Sequence, residues 1–199
     1  MGTGRLEAFS DGVIAVAITL LALGIAVPAA GKGGLGHALV TEWPRFAAYV
    51  ISFMTIGIIW INHHQMIARL READHSILIL NLVLLMTIGV LPFATDLTAS
   101  FLRHSGESLA AAVYSGCFLL MSLAFVTLNR HVLLDRAEML EPPMTLPERR
   151  RILVQAAAGV VPYAIATLLA FISAYLSLGI CAAIAFYYAL PVAYGASSR

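Results

Sequence analysis

The chain has 199 residues, of which 60% are apolar and 12% charged, and its formal net charge is +1. Soluble domains average roughly 45–50% apolar and about 25% charged residues, so this composition excludes a soluble enzyme and favours a membrane protein. The near-neutral charge and the lack of a basic arm argue against nucleic-acid binding. Cys117 and Cys181 each lie alone in an apolar segment, which indicates neither a disulfide framework nor a metal site. No cofactor is expected.

Apolar segments separated by polar residues predict six transmembrane helices in a single domain, residues 1–199. Crossing a bilayer takes about 20 residues, so six helices account for most of the chain. The bundle is all-α because backbone polar groups in lipid have to be hydrogen-bonded within the protein. A short join near Ser177 predicts a tight antiparallel hairpin between the last two helices. The predicted helices cover about residues 6–28, 43–68, 76–101, 108–131, 148–175 and 178–195.

The arginines and lysines outside these helices predict the orientation of the bundle. With six helices both termini lie on one side, which holds nine of these residues against three on the other side. Cytoplasmic loops carry the excess of positive charge, so both termini are predicted to be cytoplasmic. The chain is therefore expected to be a multi-pass protein of the plasma (inner) cell membrane.

The first helix carries one smooth apolar face. At 100° per residue, five of its side chains fall within about 40° of their common direction, and Thr19 lies at the edge of this stripe. In a hydrophobic helix, such a stripe usually packs against another helix. The residues of the stripe are Phe9, Gly12, Val16, Leu20 and Leu23.

The start of the same helix is polar. Ser10 and Asp11 suit an N-terminal cap, where a hydroxyl or carboxylate satisfies free N–H groups. Arg5 has no such explanation, because a positive charge is unfavourable at a helix N-terminus. The arginine therefore indicates that another group in the protein requires its charge.

The segment Arg5-x-x-x-Phe9-Ser10-Asp11 resembles the signature that opens the first helix of the transmembrane-protein-175 family of potassium channels. The continuation from Gly12 to Leu21 is also similar to prokaryotic members. Further likeness lies in Trp60-Ile61-Asn62-His63-His64, at the end of the second helix, and in Leu91-Pro92-Phe93 in the third.

The resemblance implies an unconventional tetrameric cation channel without a P-loop filter, in which the first helix of each six-helix subunit lines the pore. Carried over to this chain, it implies aliphatic rings at Val16, Leu20 and Leu23 and a hydroxyl ring at Thr19. Rings of this kind gate by dewetting. The family usually has isoleucine or leucine where this chain has Val16, which implies a wider first ring. The implied partners are potassium and related monovalent cations, the lipid bilayer and three further copies of the chain.

A polar network is predicted behind the pore, where the first helix starts and the second ends. Ionisable groups inside a membrane are costly and usually pair within the bundle. Alternatively, the aromatic and histidine side chains are anchors at the membrane interface. Adjacent histidines on a helix point about 100° apart, which argues against a metal site. The predicted members are Arg5, Ser10, Asp11, Trp60 and one of His63 and His64.

Two other function classes compete with the channel. One is a proton-coupled secondary transporter or small permease, in which Asp11 and a histidine relay protons. Transporters often have broken helices in matched halves, whereas this chain has scattered prolines. The other is a membrane-embedded enzyme, which the sequence does not favour, because it lacks a His-rich cluster, paired carboxylates and a serine–base pair. A homotetrameric, potassium-preferring channel is the prediction.

Overall fold

The computed structural model describes residues 2–28 and 34–189, and over these ranges it consists of helices, turns and one isolated bridge between Leu70 and Leu140. The all-helical prediction is therefore confirmed. The α-helices are α1 (Thr3–Leu21), α2 (Gly34–Thr41), α3 (Trp43–Ile67), α4 (His75–Gly89), α5 (Leu91–Phe101), α6 (Glu107–Arg130), α7 (Leu146–Ala157), α8 (Val160–Leu169) and α9 (Ala174–Ala189).

Five helical segments in the described ranges are long and apolar enough to cross a membrane. The last helix, α9, is apolar as well but has only 16 residues within the described part. The end of the predicted sixth helix, residues 190–195, lies outside the described residues, so the count of six stays a prediction. The five segments are Thr3–Gly24, Trp43–Ile67, His75–Phe101, Glu107–Asp135 and Leu146–Leu169.

The third and fifth predicted helices are each interrupted close to a proline. Pro92 is the second residue of α5, and it has no N–H to continue the hydrogen-bond ladder of α4. Pro162 lies in the first turn of α8 and cannot donate to the carbonyl of Ala158. The chain therefore breaks between α4 and α5 and again between α7 and α8.

The structure also corrects where the first predicted helix ends and where the last predicted hairpin turns. The first helix, predicted to reach residue 28, ends at Leu21 and tightens into a 3-10 turn over Ala22–Gly24. The last hairpin turns at residues 170–173, earlier than the predicted join near Ser177. The reason is that the Ser173 hydroxyl accepts a hydrogen bond from the Leu176 N–H at 3.4 Å and starts α9 there.

The long helix α6 forms the centre of the bundle and packs against α4, α5, α7, α8 and α9. Its side chains Tyr114, Phe118, Met121 and Leu128 are fully buried. The ring of Phe118 lies 4.6 Å from the Tyr114 ring and 5.4 Å from the Tyr163 ring of α8, between centroids. Helix α1 lies at the edge of this core, against α3, α4 and α5. One face of α1 is therefore largely exposed within residues 2–28 and 34–189.

Two loops at the end of the bundle where α1 begins are tied together. Asp74 caps α4 by accepting from the Ile77 N–H at 2.8 Å, and it pairs with Arg136 Nε at 2.7 Å. Nearby, the Arg71 N–H donates to the Met139 carbonyl at 2.9 Å. The Ile77 N–H and the Arg136 guanidinium lower the pKa of the Asp74 carboxyl below its ordinary value of 3.8. The carboxylate thus joins the α3–α4 loop to the segment that follows α6.

We expect Asp74→Ala to lower the free energy of unfolding by about 0.5–2 kcal/mol, the usual loss for a removed helix cap. Because folding lowers the Asp74 pKa, its contribution is complete above pH 3.8 and disappears as the pH falls through the folded-state value. Thermal unfolding in detergent between pH 3 and pH 7 measures the difference between the variant and the parent protein.

Glu72→Ala is the matched control for this loop, because Glu72 pairs only at the surface, with its neighbour Arg71 at 3.2 Å. The control is expected to change little across the same pH range. A difference between Asp74→Ala and the parent protein that persists unchanged at pH 3 would contradict the assignment.

Candidate functional site at the exposed face of the first helix

Helix α1 has one face in the core and the opposite face bare. The buried positions recur at intervals of three and four residues, as one face of a helix requires. They are Leu6, Ser10, Ile14, Ala17 and Leu21. The bare side carries the apolar stripe expected from the sequence, in which Phe9 is 54% exposed, Val16 57%, Leu20 43% and Leu23 78%, with Gly12 also exposed.

The predicted ring residues share this bare face. Val16 and Leu20 are one turn apart in α1, while Leu23 lies in the 3-10 turn that follows. The Thr19 hydroxyl is exposed and donates to the Val16 carbonyl at 2.8 Å. Its proton is thus used within the helix, which leaves the oxygen lone pairs to accept from water or to face a cation.

Exposure alone does not distinguish this face from lipid-facing surface. Exposed leucines such as Leu120 on α6 and Leu168 on α8 are as bare as the α1 stripe. The α1 face differs in its mixture of small, aliphatic and hydroxyl side chains, with Gly12 and Thr19 among the larger apolar groups. Large apolar patches on a single chain commonly mark interaction surfaces.

Behind the bare face, three fully buried polar side chains link α1, α4 and α3. The Asn81 amide donates to Ser10 Oγ at 2.9 Å, and Asn81 Oδ1 bonds His63 Nε2 at 2.7 Å. Ser10 in turn donates to the Leu6 carbonyl at 2.8 Å. The relative exposures of Ser10, Asn81 and His63 are at most 1%. The central member, Asn81, was absent from the predicted network, although a lone asparagine in an apolar helix was its signal.

The other predicted network members lie in a separate, more exposed group. Trp60 Nε1 donates to Asp11 Oδ1 at 2.8 Å. His64 Nδ1 lies 2.8 Å from Glu7 Oε1, and its ring stacks on the Trp60 ring at 6.2 Å between centroids. The structure therefore links Ser10 to His63 through Asn81, and it pairs Asp11 with Trp60.

Arg5 does not join either group within the chain. Its side chain is exposed, and it forms no ion pair or hydrogen bond with residues 2–28 or 34–189. The predicted contact between Arg5 and Asp11 is thus not formed within one chain. Among the same residues, no three His, Cys, Asp or Glu side chains lie close enough together to hold a metal.

At the far end of α1, Arg45 joins three helical segments. Its guanidinium pairs with Glu42 at 2.9 Å and with Asp96 of α5 at 2.8 Å. It also donates to the Gly24 carbonyl at 3.1 Å, at the end of the 3-10 turn. Sequence analysis missed this role for Arg45, because the three partners are far apart in the chain.

A second buried polar cluster fixes α3 against α5 and α6. Ser52 Oγ lies 2.8 Å from Thr95 Oγ1 and 2.9 Å from the Tyr114 hydroxyl, and all three residues are buried. These contacts hold the helices that support α1. The hydroxyls give no surface on which a substrate or ion could bind, so their role is structural.

Comparisons with known proteins all indicate the same family. A family model described as the endosomal/lysosomal potassium channel TMEM175 matches residues 5–92. A potassium channel of Streptomyces collinus is 45% identical over 94% of this chain and 91% of that protein. A potassium channel of Chamaesiphon minutus is 40% identical over 94% of each. The human endosomal/lysosomal proton channel TMEM175 is 35% identical over 85% of this chain, which matches 35% of that longer protein.

Two solved structures are similar to this chain in fold. The crystal structure of a lysosomal potassium-selective channel TMEM175 homologue from Chamaesiphon minutus superposes with a TM-score of 0.84 at 39% identity, covering 94% of this chain and 96% of that one. A T38A variant of the potassium channel MtTMEM175 superposes with a TM-score of 0.61 at 16% identity, covering 96% and 90%. The second likeness supports the fold alone.

The buried hydrogen bond between His63 and Asn81 is expected to couple the two side chains energetically. Replacing each by leucine, singly and together, forms a double-mutant cycle that measures this coupling in the free energy of unfolding. Side-chain hydrogen bonds between membrane helices average about 0.6 kcal/mol and reach about 1.7 kcal/mol. Because both groups are fully buried, we expect a value of about 1–2 kcal/mol.

A second cycle that pairs Asn81→Leu with Thr41→Val on the distant helix α2 provides the control. Its two effects should add to within about 0.3–0.5 kcal/mol. If the changes in unfolding free energy caused by the His63 and Asn81 substitutions add as closely as those of the control, the buried bond does not stabilise the position of α1.

Proposed function

Because this chain belongs to the TMEM175 family, we propose that it is a multi-pass membrane channel that conducts potassium and related monovalent cations. The support is that its relatives from Streptomyces collinus and Chamaesiphon minutus, matched over nearly their whole lengths, are named potassium channels. A solved structure with the same fold is a potassium-selective channel of the family. The function is therefore transport, and the chain is not an enzyme.

The pore is lined by the bare face of α1. The observation that carries this proposal is the division of α1 into two faces. Leu6, Ile14 and Leu21 are in the core, whereas Val16 and Leu20 of the stripe stay exposed in the part of the chain that the structure describes. A surface of this composition suits the wall of a narrow aqueous pore. Rings of aliphatic side chains exclude water when the side chains are close together and admit water when they move apart.

Four copies of the chain form the channel. A single α1 presents one stripe and encloses nothing, so several copies have to surround a common axis. Membrane and soluble homo-oligomers are closed cyclic assemblies in most cases, and fourfold symmetry places one stripe per subunit on the axis. Each of Val16, Leu20 and Leu23 then contributes a ring of four side chains.

The end of the bundle where α1 begins faces the cytoplasm, and the protein lies in the plasma (inner) cell membrane. This end carries most of the arginines, as the positive-inside rule requires for a cytoplasmic surface. The arginines at this end within the described residues are Arg5, Arg69, Arg71, Arg130, Arg136, Arg149, Arg150 and Arg151.

The buried bonds of Ser10, Asn81 and His63 keep α1 in the rotation that presents its stripe to the axis. A rotation of α1 by 100°, one residue of the helix, would bring Ser10 out of the core and turn Val16 inwards. Such a rotation would leave the buried Asn81 amide without Ser10 as its acceptor, which is costly in a membrane, whereas His63 would keep its bond to Asn81. The polar contact therefore supports the pore without touching an ion.

The proposed function is tested by ion flux into liposomes that contain the purified chain. We expect potassium, rubidium and caesium to enter faster than sodium, along their gradients and without a proton gradient. Thr19→Val keeps the shape of its side chain but removes an oxygen, so it should reduce the ratio of potassium to sodium flux.

Protein-free liposomes provide the background for this assay. Potassium entry that requires a proton gradient would favour the proton-coupled permease, and proton flux with no potassium flux would contradict a potassium channel. An unchanged potassium-to-sodium ratio in Thr19→Val would remove the hydroxyl from the selective region.

Substitutions in the apolar rings are expected to increase the flux. Leu20→Ser or Leu23→Ala widens or wets the constriction, so the energetic barrier to a hydrated ion falls. The same liposome assay measures the change. If the stripe packed against another helix instead, each substitution would create a cavity and cost stability without any gain of flux.

Leu168→Ser is the matched control, since Leu168 is 70% exposed on α8, which packs against α6 and α9. Its flux should equal that of the parent protein. Cross-linking in membranes checks the assembly of every variant and should yield tetramers. Equal flux from all three variants, or a parent protein that cross-links only to monomers and dimers, would contradict the pore proposal.

A further inference from the structure

A cavity of about 500 Å³ lies between α3, α6, α7, α8 and α9, on a different side of the bundle from the bare face of α1. Its volume falls within the range of about 300–1,000 Å³ that is typical of small-molecule sites. The cavity opens at the end of the bundle that carries the arginines. It has no part in the proposed pore.

The buried part of the cavity wall is apolar apart from the side chains of Thr55, Ser122 and Asn129 and the hydroxyl of Tyr163. Ile59 of α3, Met121 and Phe125 of α6 and Ile184 of α9 line it, and each is at most 9% exposed. Helices α3 and α6 belong to segments long and apolar enough to cross a membrane, and α9 is a shorter apolar helix, so lipid acyl chains can reach this wall. A hydrocarbon chain is the ligand group that such a wall accommodates.

The exposed part of the wall is polar and basic. Arg69 follows the end of α3 and Arg151 lies in α7. Neither guanidinium makes an ion pair or hydrogen bond with residues 2–28 or 34–189. Arg149, by contrast, is already used within the fold, because its Nη1 donates to the Leu133 carbonyl at 3.0 Å.

Among the described residues that line the wall, the one acidic residue, Glu148, offsets only one of these two positive charges. Glu148 Oε2 accepts from the Thr145 N–H and from the Thr145 hydroxyl, both at 2.7 Å, and so completes the capping box of α7. Its carboxylate is held at the helix start, where it also meets the positive end of the helix dipole. The two free guanidinium groups therefore give the mouth of the cavity an unbalanced positive charge.

We propose that this cavity binds an anionic phospholipid, with its phosphate headgroup on Arg69 and Arg151 and one acyl chain along the buried wall. Guanidinium groups bind phosphate oxygens in a bidentate manner, and basic pockets between membrane helices on the cytoplasmic side are typical sites for anionic headgroups. A phospholipid of that leaflet matches both the charge at the mouth and the apolar wall behind it.

The experiment is native mass spectrometry of the purified chain in micelles containing either dioleoylphosphatidylglycerol or dioleoylphosphatidylcholine. One phosphatidylglycerol per chain should be retained, in preference to phosphatidylcholine. Arg69→Gln combined with Arg151→Gln should weaken the retention by about ten- to thirtyfold. Arg150→Gln is the matched control, because it removes the same charge from an exposed neighbour that does not line the cavity.

A second pair of variants tests the acyl chain. Ala156 lines the cavity, so Ala156→Phe should fill it and reduce phosphatidylglycerol retention, whereas Ala158→Phe at the exposed end of α7 should not. Unfolding midpoints without added lipid verify that each variant folds. The Arg69 and Arg151 substitutions, at sites that are not buried, keep the test valid if Ala156→Phe fails to fold.

Three results would overturn the proposal. Equal retention of phosphatidylglycerol and phosphatidylcholine would show that charge is not recognised. A loss in Arg150→Gln as large as in the double variant would show a diffuse basic surface instead of a site. Retention of oleate but not of phosphatidylglycerol would identify a free fatty acid as the occupant. Each readout is binding, so none depends on whether the chain conducts potassium.

Discussion

The hydrogen bond that Asn81 donates to Ser10 sets the rotation of α1, and the proposed pore depends on that rotation. Ser10 is fully buried, and the buried Asn81 amide N–H has Ser10 as its acceptor only while the two side chains face each other. In a medium without water, an unpaired polar group costs several kcal/mol, so the contact strongly disfavours other rotations of the helix. His63 extends the same chain of bonds to α3. The apolar stripe is bare because its polar counterpart is anchored on the other side.

The two ends of α1 are held in different ways. At its start, Asp11 is bonded by Trp60 and Glu7 pairs with His64, both from the last turns of α3. At its far end, Arg45 reaches the Gly24 carbonyl while pairing with carboxylates. Contacts at both ends restrict tilt, whereas Ser10 restricts rotation. Together, these contacts hold α1 in place although one of its faces is largely exposed among the described residues.

The cavity beside α7 follows from a different constraint. The break at Gly159 and the proline in the first turn of α8 interrupt the segment Leu146–Leu169, so α7 is a helix separate from α8. Its Arg149 anchors it to the carbonyl of Leu133. The space left between this helix and α6 combines an apolar interior with a basic mouth. One proline and one arginine thus account for the shape of the proposed lipid site.

Much of the site was predictable, because it depends on helical periodicity and on hydropathy. The stripe with Val16, Leu20 and Leu23 follows from 100° per residue, and the structure leaves all three exposed. The network was predicted only in outline. Its members divide into two groups, Asn81 is the central residue of the buried one, and Arg5 contacts neither. Sequence spacing gives no distance between helices, so the sequence alone could not predict which histidine is linked to Ser10 through Asn81.

The amino-acid sequence by itself determined that this chain is a helical membrane protein with a smooth face on its first helix, because composition and periodicity are local properties. The tertiary structure decided the features that depend on long-range contacts. It selected His63 over His64 as the partner of Asn81, used Arg45 to join α1 to α5, and opened a cavity between α6 and α7. The physical reason is that hydrogen bonds and cavities depend on the packing of segments distant in the chain, which no single helix encodes.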